Sequence, residues 1–96
     1  MNRFYFNTIG TNLGTRQLGS EVREKLLCVL KENERTVLDF SGVNVVSNSF
    51  ADECLAKLLL TYSLDELKKL TTFEGLNDFA RKNISVAFKR RYASLL

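Results

Sequence analysis

Ninety-six residues, 45% of them hydrophobic and with a formal net charge of +3, are read as one globular domain spanning residues 1–96. No apolar run approaches the ~20 residues a membrane span needs, and Arg3 with the polar stretch 8–12 interrupts any secretory pattern, so a cytoplasmic chain without a membrane partner is expected. Histidine is absent and the two cysteines, Cys28 and Cys54, lie far apart, which removes the commonest general base and leaves no tetrahedral metal set. Neither an enzyme nor a cofactor is expected.

In chain order, residues 3–7 alternate aromatic and polar side chains and predict a short strand near 4–6. Residues 8–14 predict a polar, glycine-bearing loop. From 15 to 32, Leu18, Val22, Leu26, Val29 and Leu30 recur three or four apart and predict an amphipathic helix, with Asn33 as its left-handed stop. Residues 36–40 predict a buried parallel strand, followed by a turn at Ser41 and Gly42. Whether residues 43–46 add a short strand is left open. Ser49 and Asp52 have the spacing of a capping box, predicting a helix that buries Phe50, Cys54, Leu55 and Leu58 and runs to about Tyr62. A third strand is predicted at 70–73, with a turn at Glu74 and Gly75. A last helix from near Leu76 carries Leu76, Phe79, Ala80, Ile84, Ala87 and Phe88 on one stripe.

Strands alternating with helices predict an α/β fold: a mixed or parallel sheet of about three to four strands with helices packed on it. Leu26, Leu38, Phe40, Leu55, Ile84, Phe88 and both cysteines are expected in the core.

The most distinctive block joins Leu38-Asp39-Phe40-Ser41-Gly42-Val43 to Ser49-Phe50-Ala51-Asp52-Glu53. It resembles the central segment of the STAS-like domains, relatives of the bacterial anti-sigma-factor antagonists. Within them it is similar to a small subfamily of poorly defined function. A weaker likeness covers Thr15, Arg16 and Gly19 ahead of Leu26 and Leu27. The resemblance implies a bacterial or phage regulatory module that binds a protein partner, either a kinase-like ATPase or an anti-sigma-type regulator. In the antagonists, a serine at the start of the corresponding helix is phosphorylated. Aligned on the strand, that place is taken here by Asn48 and the acidic residue before it by Ser47, so Ser47 and Ser49 are the neighbouring candidate phosphorylation sites.

The candidate docking surface is therefore the loop Ser47, Asn48 and Ser49 with the helix face bearing Asp52, Glu53 and Lys57. Plainer roles are assigned beside it: Ser49 as the N-cap, Asn48 as a left-handed residue aiming the loop, and Asp39 as an acceptor fixing the turn after its strand. The adjacent pairs Asp52-Glu53 and Asp65-Glu66 are read as diverging around their helices. Near the C-terminus, Arg81, Lys82, Lys89, Arg90 and Arg91 face Asp78 alone, and they supply the alternative of nucleic-acid binding. Against it, Phe79 and Phe88 are expected on the buried stripe, unavailable for stacking on bases. Nucleotide binding at the loop is a weaker third reading, because no glycine-rich phosphate cradle is visible.

Overall fold

The computed structural model describes residues 2–32 and 35–95. In chain order its elements are β1 (Asn2–Tyr5), β2 (Asn12–Leu13), α1 (Arg16–Leu30), β3 (Thr36–Asp39), β4 (Val45–Val46), α2 (48–60), α3 (Leu64–Leu70), β5 (Thr71–Glu74) and α4 (Asp78–Ser94). Every strand pairing is parallel: β1, β3 and β5 form one sheet in that order, and β2 pairs with β4 in a second. Parallel pairing follows from the helices placed between the strands, since such strands join only through a crossover. The α/β reading holds.

Phe4, Leu38 and Phe73 are register partners across the three-stranded sheet and share one face, with Leu38 in the core, Phe4 packed against it and Phe73 exposed at the sheet edge. Just beyond β3, Phe40 stacks on Phe6 at a centroid separation of 4.0 Å, and Phe6 meets Phe4 at 4.8 Å. Phe40 also approaches Phe73 at 6.1 Å, so one aromatic row links all three strands. On the opposite face, Arg3 donates to Asp39 at 2.8 Å and to Glu74 at 3.0 Å. One guanidinium thus ties β1 to β3 and β5. Asp39 turns its other oxygen to the Ser41 amide at 2.9 Å, fixing the turn in which Gly42 takes a φ of 81°. The Ser41 amide and hydroxyl, then Arg3, hold the Asp39 carboxyl below its ordinary range.

β1 begins earlier than expected, and Phe6 opens a short 3-10 turn instead of ending the strand. The predicted loop at 8–14 contains β2, and β4 settles the question left open at 43–46. Helix α1 is capped by Thr15, whose hydroxyl accepts the Leu18 amide at 3.1 Å, and it buries Gly19, Val22, Leu26 and Leu30. The expected stop at Asn33 falls outside the described residues. Helix α3 was anticipated only through the pair Asp65-Glu66, read as lying on a helix without stated bounds, although Ser63 and Glu66 form a reciprocal capping box at its start. Helix α4 is capped by Asn77, and buried Asn83 donates to the Val46 carbonyl at 2.9 Å, tying the helix to β4. Among the described residues no helix is long and apolar enough to cross a membrane.

Leu26, Leu38, Phe40, Leu55 and Ile84 are buried as expected, and Phe88 is half-buried. Cys54 is buried, and burial pushes its thiol up to about 12. Cys28 is exposed, contrary to the expectation of a core cysteine. It lies two residues from both Leu26 and Leu30, a spacing that turns a side chain to the far side of a helix. Phe79 is also corrected: it is 55% exposed, because the stripe that packs is Ala80, Asn83, Ile84 and Ala87.

Gly75 closes β5 with a φ of 75°, and a Cβ there would lie 2.6 Å from the Ser41 backbone nitrogen. Gly75→Ala should destabilise by about 1–3 kcal/mol, from backbone strain and crowding together. At Gly14 a Cβ meets nothing within 4 Å. Gly14→Ala should be neutral or stabilise by up to about 1 kcal/mol. Urea denaturation of both variants checks the pair, and equal effects would contradict this account of the turn.

Candidate functional site

Helix α2 begins at Ser47, whose extended backbone (φ −71°, ψ 162°) turns its hydroxyl onto the first helical turn. That oxygen accepts the Phe50 amide at 3.0 Å and donates to the Gly14 carbonyl at 2.9 Å. Ser47 is therefore the N-cap and Ser49 is not, which corrects the expectation from the Ser49–Asp52 spacing. Asn48 is the first helical residue, so it is not the left-handed residue expected. With the cap supplied by Ser47, the half-buried Ser49 and the exposed Asn48 face a cleft.

The helix does not stay regular. Residues Asn48–Phe50 are α-helical, Ala51–Leu55 form a π-helical turn, and Ala56–Leu60 tighten to 3-10 geometry. The Ala56 amide reaches back to both the Ala51 and Asp52 carbonyls. In the widened turn the adjacent carboxylates of Asp52 and Glu53 both meet Arg16 of α1, at 2.8 and 3.3 Å. The pair was expected to diverge and not to converge on one substrate; the two acids share Arg16, but only Asp52 lines the cleft.

Beyond Arg16 the two acids serve different neighbours. Asp52 takes Arg91 of α4 through two guanidinium nitrogens, at 3.2 and 2.7 Å. Glu53 is buried and accepts from Arg23 at 2.8 Å and Lys57 at 3.0 Å, while Arg23 also donates to the Glu53 carbonyl. The hydrogen bond from Arg23 chiefly holds the Glu53 carboxyl down at about 2, against the opposing effect of burial. Burial pushes the Asp52 carboxyl up, but Arg91 and Arg16 outweigh it, and the net shift is downward.

A cleft of about 360 Å³ lies where these elements meet. Arg16 lines it from α1, Asn48, Ser49 and Asp52 from α2, and Arg90 and Arg91 from α4, with Val86 and Ala87 at its apolar side. Residues from the two separate candidate sets thus share one site. Glu53, expected on the exposed docking face, is instead buried, because it and Lys57 are drawn into the network with Arg23, and Ser47 is engaged as the cap. Arg81, Lys82 and Lys89 are exposed on α4 and do not line the cleft. Arg16 is the residue that sequence reasoning missed. Its partners lie 36 and 37 positions away, a distance that local periodicity does not report. Among the described residues no group of histidine, cysteine, aspartate and glutamate side chains is placed to hold a metal ion.

Comparison with protein families matches residues 19–79 to the STAS-like domain of unknown function (DUF4325), and the chain belongs to that family. Comparisons with curated proteins and with solved structures gave no match. The matched span contains Asn48, Ser49, Asp52 and Glu53, whereas Arg16, Arg90 and Arg91 lie outside it.

The depressed carboxyls set an acid limit on stability. A group whose folded pKa is lowered stabilises the fold above its unfolded value, and that contribution is lost as pH falls through the folded value. For Glu53 the window runs from the ordinary 4.5 down to about 2. Melting temperature should hold steady above about pH 5 and fall steadily below it. Glu53→Gln should melt lower at neutral pH and show a shallower acid slope. Parallel acid slopes for the two proteins would remove Glu53 from this role.

Proposed function

We propose that the chain is a regulatory protein-interaction module without catalytic activity, and that its partner docks at the cleft between the first turn of α2 and the C-terminal half of α4. One observation carries the reading: Asn48, Ser49, Arg16 and Arg90, drawn from three elements, open on the same concave surface. Family membership and the resemblance to anti-sigma-factor antagonists support a partner of the kinase-like ATPase or anti-sigma type. The docking set comprises Asn48, Ser49 and Asp52 with the cleft arginines. Ser47, Glu53 and Lys57 act beneath it by holding α2 in place.

A second reading, nucleic-acid binding, has its own observation. Arg81, Lys82, Lys89 and Arg90 are exposed along α4, and Phe79 stands 55% exposed on the same helix. Such a surface would bind a phosphate backbone with a steep dependence on salt.

The structure changes the choice of probe. Because Ser47 is the cap, Ser47→Ala should cost on the order of 1 kcal/mol of stability and leave partner affinity unchanged. Ser49→Asp places a charge in the cleft without removing the cap. It should weaken the partner recovered from the native host by about ten- to a hundredfold, the consequence of roughly 1–3 kcal/mol of desolvation. Calorimetric titration of that partner checks both variants, and full affinity in folded Ser49→Asp would remove the cleft from docking. A complex that survives Ser49→Asp but disappears in Arg81→Glu/Lys82→Glu/Lys89→Glu, with nucleic acid as the ligand, would favour the second reading.

A further inference from the structure

Three guanidinium groups, of Arg16, Arg90 and Arg91, line the cleft. Asp52 is the carboxylate that lines it with them, and it accepts from Arg16 at 2.8 Å and from Arg91 at 2.7 Å. Glu53 reaches Arg16 at 3.3 Å but is held more closely by Arg23 at 2.8 Å and Lys57 at 3.0 Å. Arg90 enters no ion pair or hydrogen bond among the described residues. The cleft lining therefore carries an excess of about two positive charges.

Resting on the docking reading, we propose that the cleft receives a phosphorylated side chain of the partner protein, its dianionic phosphoryl group seated among Arg90, Arg91 and Arg16 beside Ser49 and Asn48. The charge matches. A phosphomonoester carries about −1.5 to −2 at neutral pH and three acceptor oxygens in one small group, whereas two separate carboxylates would be needed to supply as much. Guanidinium forks engage phosphate oxygens two at a time, which suits a cleft whose cations are all arginine. No aromatic ring lines it, so a nucleotide base finds no stacking platform there. Asp52 already holds two of the arginines, so the entering phosphoryl group competes with it. Occupancy would then loosen the link that Asp52 makes between α1 and α4.

The test titrates the isotope-labelled full chain with N-acetyl-O-phosphoserine amide while following backbone amide and arginine Nε–H resonances. Saturable shifts at Arg16, Ser49, Arg90 and Arg91 are expected. Arg90→Ala breaks no ion pair among the described residues and should weaken binding by about tenfold. Lys82→Ala/Lys89→Ala removes more charge away from the cleft and should change affinity by less than about threefold. Asp52→Asn should tighten binding by freeing Arg16 and Arg91.

A dianion also leaves a pH signature. The groups facing the cleft are Arg16 from α1, Asp52 with Glu53 behind it from α2, and Arg90 and Arg91 from α4. The chain has no histidine, and both acids are held below their ordinary range. Affinity should therefore follow the ligand's second ionisation near pH 6, rising about tenfold between pH 5 and 7.5.

Absence of saturable shifts in the folded protein overturns the proposal. So does an equal loss in the Lys82→Ala/Lys89→Ala variant, which would reveal unspecific attraction. Adenosine monophosphate forms a second arm: tighter binding than phosphoserine overturns a side-chain source in favour of a nucleotide. The two readings fail separately. If Ser49→Asp abolishes partner binding while phosphoserine never binds, docking stands and this inference falls. If phosphoserine binds but the partner ignores Ser49→Asp, the docking reading falls and the partner-borne source falls with it.

Discussion

A carboxylate taken out of water must meet cations, or it loses its charge. Glu53 is only 8% exposed, and it stays ionised because Arg23, Lys57 and Arg16 converge on it. Those contacts do more than neutralise. Arg16 and Arg23 both come from α1, so the buried charge fixes that helix against the π-helical turn of α2. Gly19 permits the approach, since a Cβ there would stand 2.9 Å from the Glu53 Cβ. Once α1 is seated in this way, Arg16 also reaches Asp52, and Asp52 reaches Arg91 of α4. The cleft is the gap that three helices leave when one acidic turn holds them together.

The sheet supplies the floor for that arrangement. β3 is buried at all four residues and leads through the turn at Ser41 and Gly42 to β4 and the cap of α2. Its position is fixed from both faces, by the aromatic row on the core side and by the Arg3 bridge on the other. The small sheet passes the constraint onward: Ser47 bonds through its amide to Leu13 and through its hydroxyl to Gly14. The start of α2 is therefore located by strand pairing more than by helix propensity.

Local pattern made the three main strands, α1 and α4 legible: β1 alternates, the helices recur at three or four residues, and β3 shows as a continuous apolar run buried at all four positions. It failed where elements are too short to show one. β2 and β4 have two residues each and carry no period, while α3 announced itself only through Ser63 and Glu66. The cap was misplaced for a different reason: Ser47 and Ser49 are chemically equivalent, and only the β2–β4 pairing decides which one stands extended before the helix. Cys28 was legible and misread, since its offset from Leu26 and Leu30 already placed it on the outer face. The cleft was half visible. Its polar turn and its basic tail each stood out in the sequence, but their meeting depends on contacts 36 to 39 positions apart.

Asp52 gives the site its character. A cleft lined by three arginines alone would hold any anion tightly and without discrimination, and it would strain the fold by mutual repulsion of its cations. A resident carboxylate relieves that repulsion and keeps two of the arginines oriented by hydrogen bonds from opposite sides. Under the phosphoryl-group proposal, an anion that engages Arg16 or Arg91 would have to compete with that carboxylate, and a singly charged group would gain little by displacing it. This competition would moderate affinity and favour ligands of higher charge density. The polar turn and Asp52 lie within the family-matched span, while the three arginines lie in the segments flanking it.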